Sequence, residues 1–403
     1  MSKRSDRPFR VLSVDGGGIR GYYTATLLHC LATHFAHARR KPVASLDVGK
    51  GFDLIVGTST GGIIACGLAA GFSTQALVDL YKMLGPRVFQ HPIPANFSEF
   101  VRWVPSHLSG AANDPAPFRT ALTELFGTLT LDDVYRARHI ALCIPAVNIE
   151  DRRSWVFETP HTPDRARGNY RVVDVCLATS AAPLYFPVAV IEDPSPSAPG
   201  QHHAFVDGGL WANNPIVIAL VEALDLAPPG KSVEIISLTT CPPRTEETVL
   251  PGKGANWGIW DWRVGIKALN ASLDAQSSRY SGIVKALAPH LERPCRIVRL
   301  EPTSTAPELH FDIVMDRTSD EILAALARRA REDAKHYFAE ARKYQRHHPF
   351  AGDPKDRRAL RFDDFSILGA TFDAMPTLGT AKRAAHHART APRQAPEASV
   401  HTG

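Results

Sequence analysis

Hydrophobic residues along this chain fall into short runs that stop at glycines, and these alternate with longer stretches at helical spacing. Residues 11–14 form a β-rich run that ends in three glycines. Between residues 22 and 38, Leu27, Leu28, Leu31 and Phe35 recur on one side of a helix. Residues 52–56 form a second apolar run, again ending at a glycine, and 61–70 read as a Gly/Ala-rich helix able to pack close to a sheet. This alternation of strand, turn and helix predicts a three-layer α/β/α sandwich with a largely parallel central sheet.

Between residues 86 and 118 the pattern changes. Pro86, Pro92, Pro94, Pro105, Pro115 and Pro117 break any long element there. Residues 97–104 carry Phe97, Phe100, Trp103 and one basic residue, Arg102; they read either as a core-docked excursion or as a lid or lipid-entry surface. Further strands are expected at 140–147, 154–158 and 233–238, with a helix at 172–182 ahead of Pro183. Residues 193–200 have loop composition, and 242–262 form a Pro/Gly-rich loop that ends in Trp257, Trp260 and Trp262. Residues 322–344 give the clearest helix, with Leu323, Leu326, Ala330, Tyr337, Ala341 and Tyr344 on one face. Arg328, Arg329, Arg331, Lys335, Arg342 and Lys343 are assigned to a solvated opposite face. The expected organisation is a catalytic core at 9–218, a continuation packed on it at 219–375, and a disordered tail at 376–403.

Composition narrows the function classes. Of 403 residues, 44% are hydrophobic and 22% charged, an ordinary globular balance. The formal charge of +5 suits an anionic surface such as lipid headgroups but is too small to argue for a nucleic-acid polymer. The six cysteines form no CxxC and no zinc-finger spacing with histidine, so they are read as buried thiols in a reducing compartment. Neither a metal nor a cofactor is called for. Without a secretory signal or an apolar stretch of the ~20 residues that span a bilayer, the chain is expected to be cytoplasmic and to touch membranes only peripherally.

Three motifs carry chemistry. Gly57-Thr-Ser59-Thr-Gly61 follows a predicted strand and opens a predicted helix, the setting in which a sharp turn lifts a serine outward as a nucleophile. Asp15-Gly16-Gly17-Gly18-Ile19-Arg20-Gly21 also joins strand to helix, and its backbone N–H groups form a nest suited to an oxyanion. Arg20 either adds positive charge to that loop or pairs with Asp15. Asp207-Gly-Gly209 supplies a carboxylate at a strand end that can take the serine proton if held within hydrogen-bond reach. The first loop also fits the dinucleotide fingerprint at Gly16, Gly18 and Gly21, but that fingerprint needs an acid at the end of the next strand, and Asp47 precedes it. A non-enzymatic dinucleotide-binding module is therefore one alternative. A Ser–His–Asp esterase acting on soluble esters is another, with His290, His310 and His336 following Asp207 outside any recognisable motif.

The three motifs together resemble the patatin-like phospholipase family, with supporting matches at Ala178-Thr-Ser-Ala-Ala-Pro183 and Trp211-Ala-Asn-Asn-Pro215. The resemblance covers about residues 9–218. It implies a metal-free Ser59–Asp207 dyad that releases fatty acid from membrane phospholipid through an acyl-enzyme on Ser59, with residues 16–21 as the oxyanion loop. The run Phe52-Asp-Leu-Ile-Val-Gly-Thr-Ser-Thr-Gly-Gly62 further resembles the effector phospholipases of bacterial anti-phage systems, which a cyclic dinucleotide switches on. No residue identifies a nucleotide pocket, and homo-oligomerisation is left open.

Overall fold

In the computed structural model of the protein, residues 7–39, 46–94, 97–107, 110–162, 169–195, 197–242, 249, 251–303, 316–347 and 365–378 are described. Most of the expected tail and His310 lie outside them. Among the described residues one sheet holds eight strands. These are β1 (Phe9–Val14), β2 (Leu54–Gly57), β3 (Ala141–Asn148), β4 (Arg153–Glu158), β5 (Ala189–Glu192), β6 (His202–Asp207), β7 (Val233–Leu238) and β8 (Cys295–Leu300). The helices are α1 (Gly21–Ala38), α2 (Thr60–Ala70), α3 (Thr74–Val88), α4 (Phe97–Trp103), α5 (Ala116–Phe126), α6 (Leu131–Arg138), α7 (Val172–Thr179), α8 (Gly209–Ala212), α9 (Ile216–Leu226), α10 (Ile266–Leu287), α11 (Asp320–His347) and α12 (Ser366–Ala374). None of the described helices is long and apolar enough to cross a membrane.

The central strands are mostly apolar because both of their faces are covered, and the polar exceptions Arg10, Ser13, Glu234 and Ser237 are buried with them. Val11, Leu54, Val56, Cys143, Val233, Ile235 and Ile297 pack into a layer with α9. Their chain neighbours Leu12, Ile55, Leu142, Ile236, Leu238 and Val298 point the other way, into a layer that includes α1, α2 and α7. β1 runs parallel to β2 on one side and to β7 on the other, and β2–β3 and β7–β8 are also parallel. The predicted sandwich is therefore present, with an antiparallel extension made by β4, β5 and β6.

That extension positions the chemistry. β4 pairs with β3 along Cys143–Asn148 and so occupies one edge of that strand. The other edge is shared: β2 lies against Ala141–Cys143 and β6 against Ala146–Asn148. β2 is parallel to β3 and β6 antiparallel, so the two run toward each other and their C-terminal ends meet. β2 leads into Ser59, and β6 ends at Asp207.

Three local expectations are corrected. Helix α3 runs through Pro86 to Val88; the proline sits in its last turn, where few helical bonds remain to be lost. The helix expected at 172–182 ends at Thr179. Arg329 is not on a solvated face: it is buried and its Nε donates to Asp333 Oδ2 at 2.9 Å, while Asp333 also accepts from the Tyr23 hydroxyl at 2.7 Å. α11 packs against both α1 and α12, so more than its apolar stripe is covered.

Asp15, at the end of β1, pairs with Arg299 on β8 rather than with Arg20. Arg299 donates to both of its oxygens, at 3.1 and 2.6 Å, and to Ser237 Oγ at 2.7 Å. Burial pushes the Asp15 carboxyl up, and the Arg299 guanidinium opposes that shift. Removing one partner of a buried pair strands the other charge, at a cost of about 3–5 kcal/mol. Arg299→Ala is thus expected to lower unfolding stability by about that amount in urea titrations, with Arg299→Lys recovering part of it.

Candidate active site

Ser59 occupies the turn between β2 and α2 at φ 55° and ψ −128°. A non-glycine residue held there costs on the order of 1–3 kcal/mol, so the surroundings must fix it. The Ser59 N–H donates to Thr179 Oγ1 at 2.9 Å, and the Thr179 hydroxyl donates to the Pro145 carbonyl at 2.6 Å. The Thr58 hydroxyl donates to the Ala212 carbonyl at 2.5 Å. Gly61 brings α2 against β1: a Cβ there would overlap the carbonyls of Val14 and Asp15. Gly57 ends β2 on the other side of the serine.

The serine Oγ donates to Asp207 Oδ2 at 2.7 Å. The second carboxylate oxygen, Oδ1, accepts the Gly209 N–H at 2.6 Å. The backbone around the aspartate is tied to the segment that also holds the serine: Asp207 N–H donates to Ala181 O and Gly208 N–H to Thr179 O. Both side chains are buried, at 7% exposure each. Burial pushes the Asp207 carboxyl up to about 6, against the opposing hydrogen bonds from Gly209 and Ser59. The group is a stronger base than its reference pKa near 3.9 suggests, yet it remains ionised at neutral pH.

The glycine loop passes beside this pair. A Cβ on Gly16 would stand 3.1 Å from the Ser59 Cβ and would overlap Asn213 Oδ1, so only glycine fits. The six loop residues divide by how their amides are used. Gly16 N–H donates to Asn213 O, Arg20 N–H to Gly17 O, and Gly21 N–H to the carbonyls of Gly18 and Ile19. Among the described residues no acceptor meets the amides of Gly17, Gly18 or Ile19, and these three line the cavity at Ser59. Arg20 is buried, and its Nε donates to Gly17 O at 3.2 Å, which braces the turn from inside. Burial pushes its pKa down, and Asp274 is foremost among the groups that oppose the shift.

A largely apolar cavity opens beside this loop. Ser59 and Asp207 are in its wall, along with Leu80, Leu84, Phe118, Phe186 and, from α10, Leu269 and Leu273. Such a lining suits an apolar ligand and limits water at the serine. His290 and His336 are exposed and absent from this lining. Elsewhere, Cys143, His161 and Glu222 bring ligand-type atoms within 4.8 Å of one another, but none of the three lines the cavity.

Sequence reasoning gave Thr179 and Asn213 no role, although both fall in segments that carried the family resemblance. Asn213 is in turn held from α10, where Gln276 Oε1 accepts its N–H at 2.8 Å and Ser277 Oγ accepts from its side chain at 3.2 Å. The hydroxyl of Ser59 stabilises the ionised form of Asp207, so its loss should raise the carboxyl pKa. Carboxyl-carbon NMR is expected to show Asp207 titrating near pH 6, and at higher pH in Ser59→Ala.

A family model described as Patatin-like phospholipase matches residues 12–220. A cGAMP-activated phospholipase of Escherichia coli is 31% identical over 358 residues, which span 84% of this chain and 92% of that protein. One from Pseudomonas aeruginosa is 35% identical over 274 residues, 67% of this chain and 73% of the relative. One from Vibrio cholerae is 31% identical over 340 residues, 82% and 91% respectively.

Proposed function

The chain belongs to the patatin-like phospholipase family and is a lipid acyl hydrolase, and from that premise we propose that it cleaves acyl esters of membrane phospholipids with Ser59 and Asp207 as a two-residue catalytic unit. The observation that carries this reading is the 2.7 Å contact from Ser59 Oγ to Asp207 Oδ2 in the wall of an apolar cavity.

In the first half-reaction Ser59 Oγ attacks the ester carbonyl carbon while Asp207 takes the hydroxyl proton. The carbonyl oxygen becomes an oxyanion facing the amides of Gly17, Gly18 and Ile19; losing one such donor typically costs about 3 kcal/mol. The C–O bond to the alcohol then breaks, and Asp207 returns the proton to the departing oxygen. In the second half-reaction water attacks the acyl-serine, Asp207 takes a proton from it, and fatty acid leaves as Ser59 regains its hydrogen. The strained backbone at Ser59 keeps the nucleophile at one place through both halves.

We extend to this chain the regulation named in its relatives: a cyclic dinucleotide raises its turnover. The support is the breadth of the match, which spans 92% of the Escherichia coli protein and 91% of the Vibrio cholerae one, rather than the catalytic motifs alone. With a lipid substrate and a formal charge of +5, the protein works peripherally at an anionic membrane.

Incubating the full chain with bacterial lipid extract is expected to release fatty acid and lysophospholipid, read by mass spectrometry, with a rise on adding the right member of a cyclic-dinucleotide panel. Ser59→Ala should lose both basal and stimulated release by about 10³-fold or more; equal release by wild type and variant would remove the nucleophile assignment. The reaction needs the ionised carboxylate, so the rate should fall as pH drops through about 6 and level off above it.

A further inference from the structure

Loop 257–265 and α4 form one surface. Arg263 joins them: its Nη1 donates to Pro94 O at 3.2 Å, and its guanidinium lies 5.9 Å from the centre of the Phe100 ring on α4. On this surface Ile259 is 65% exposed and Phe97 56%, and Trp260, Trp262, Val264 and Val101 are also exposed. Large apolar groups clustered this way mark a contact site rather than ordinary solvent-facing residues.

The loop is built to hold these groups outward. Trp262 N–H donates to Gly258 O, Val264 N–H to Ile259 O and Lys267 N–H to Trp262 O. Arg263, Val264 and Gly265 have successive φ values of 49°, 52° and 96°, an uncommon left-handed run that locks the turn into α10. The Trp257 and Trp262 rings meet edge-on at 5.0 Å, and Lys267 Nζ sits 4.7 Å over Trp257. Arg102, Arg263 and Lys267 bring positive charge to the patch, set against Glu99 and Asp261, in a chain of formal charge +5.

The loop also leads to the cavity. Gly265 O accepts the Leu269 N–H in the first turn of α10, and Leu269 and Leu273 are cavity wall. Indoles and aliphatics set among charged side chains with a basic excess of one fit the boundary between headgroups and acyl chains of a bilayer.

We propose that loop 257–265 and α4 dock this protein on an anionic phospholipid bilayer, with the first turns of α10 forming the path from that surface to Ser59. The inference rests on the lipid-hydrolase reading for its purpose, but its test does not require turnover.

The test is flotation of the full chain with vesicles of phosphatidylglycerol and phosphatidylethanolamine, and with phosphatidylcholine vesicles. The comparison is wild type, the double variant Ile259→Asp/Trp260→Asp, the single variant Ile259→Asp, and Val221→Asp, which adds the same single charge as Ile259→Asp but to an exposed valine on α9. Melting curves confirm that each variant is folded. Wild type should float with the anionic vesicles more than with phosphatidylcholine, less so at high salt, and with a blue shift of tryptophan emission. The double variant should lose about tenfold or more in partitioning, while Val221→Asp floats as wild type does. Wild type that stays with the unbound fraction, a double variant that floats equally well, or equal loss in Val221→Asp would each overturn the proposal. So would a patch that pairs two copies, seen in sedimentation as self-association lost in the double variant with flotation unchanged. Absent hydrolysis with intact flotation would count against the dyad and leave the docking surface standing.

Discussion

One edge of β3 has to serve two strands. β4 takes the other edge along Cys143–Asn148, so β2 and β6 share the remaining one and approach each other end to end. With the parallel partner on the N-terminal part of that edge and the antiparallel one on its C-terminal part, the two meet at their C-termini. Those ends carry Ser59 and Asp207, 148 residues apart in the chain and 2.7 Å apart in space. The contact follows from sheet topology, and the side chains need only short reaches to complete it. Thr179 then fixes both members, since its hydroxyl accepts the Ser59 amide and its carbonyl accepts that of Gly208.

The cradle beside the pair is held from the second half of the chain. Asp15 is clamped by Arg299 on β8, Gly16 is bonded on one side to Asn213 and on the other to the Thr240 hydroxyl, and Asn213 hangs from α10. The amides of Gly17, Gly18 and Ile19 are thereby kept in place by groups from outside the loop. Pre-set donors of this kind need no reorganisation when charge develops. The same helix that suspends Asn213 contributes Leu269 and Leu273 to the apolar cavity, so α10 links the glycine loop to the wall of that cavity.

The glycine motifs were readable in the sequence because close backbone approach leaves no other choice. Gly61 abuts the carbonyls of Val14 and Asp15, and Gly16 lies against Ser59 and Asn213. The doubly covered strands were readable as largely apolar runs for an equally direct reason. α10 was not: of its 22 residues only Ile266 and Val284 are fully buried, so no apolar stripe announces it. The inward turn of Arg329 was hidden for a related reason, since a buried arginine with a carboxylate partner looks like a solvated one until Asp333 is seen beneath it. The shared edge of β3 could not be read at all, because strand neighbours distant in sequence leave no local pattern. The raised pKa of Asp207 depends on that burial and was invisible with it.

The central claim is that Asp207 activates Ser59 directly. A fluorophosphonate that traps activated serines tests it most directly, with the labelled site found by peptide mass spectrometry and the labelling rate compared between wild type and Asp207→Asn. The account predicts a single adduct on Ser59 that forms about 100-fold or more slowly in the variant. An adduct elsewhere, or equal rates in the two proteins, would contradict it.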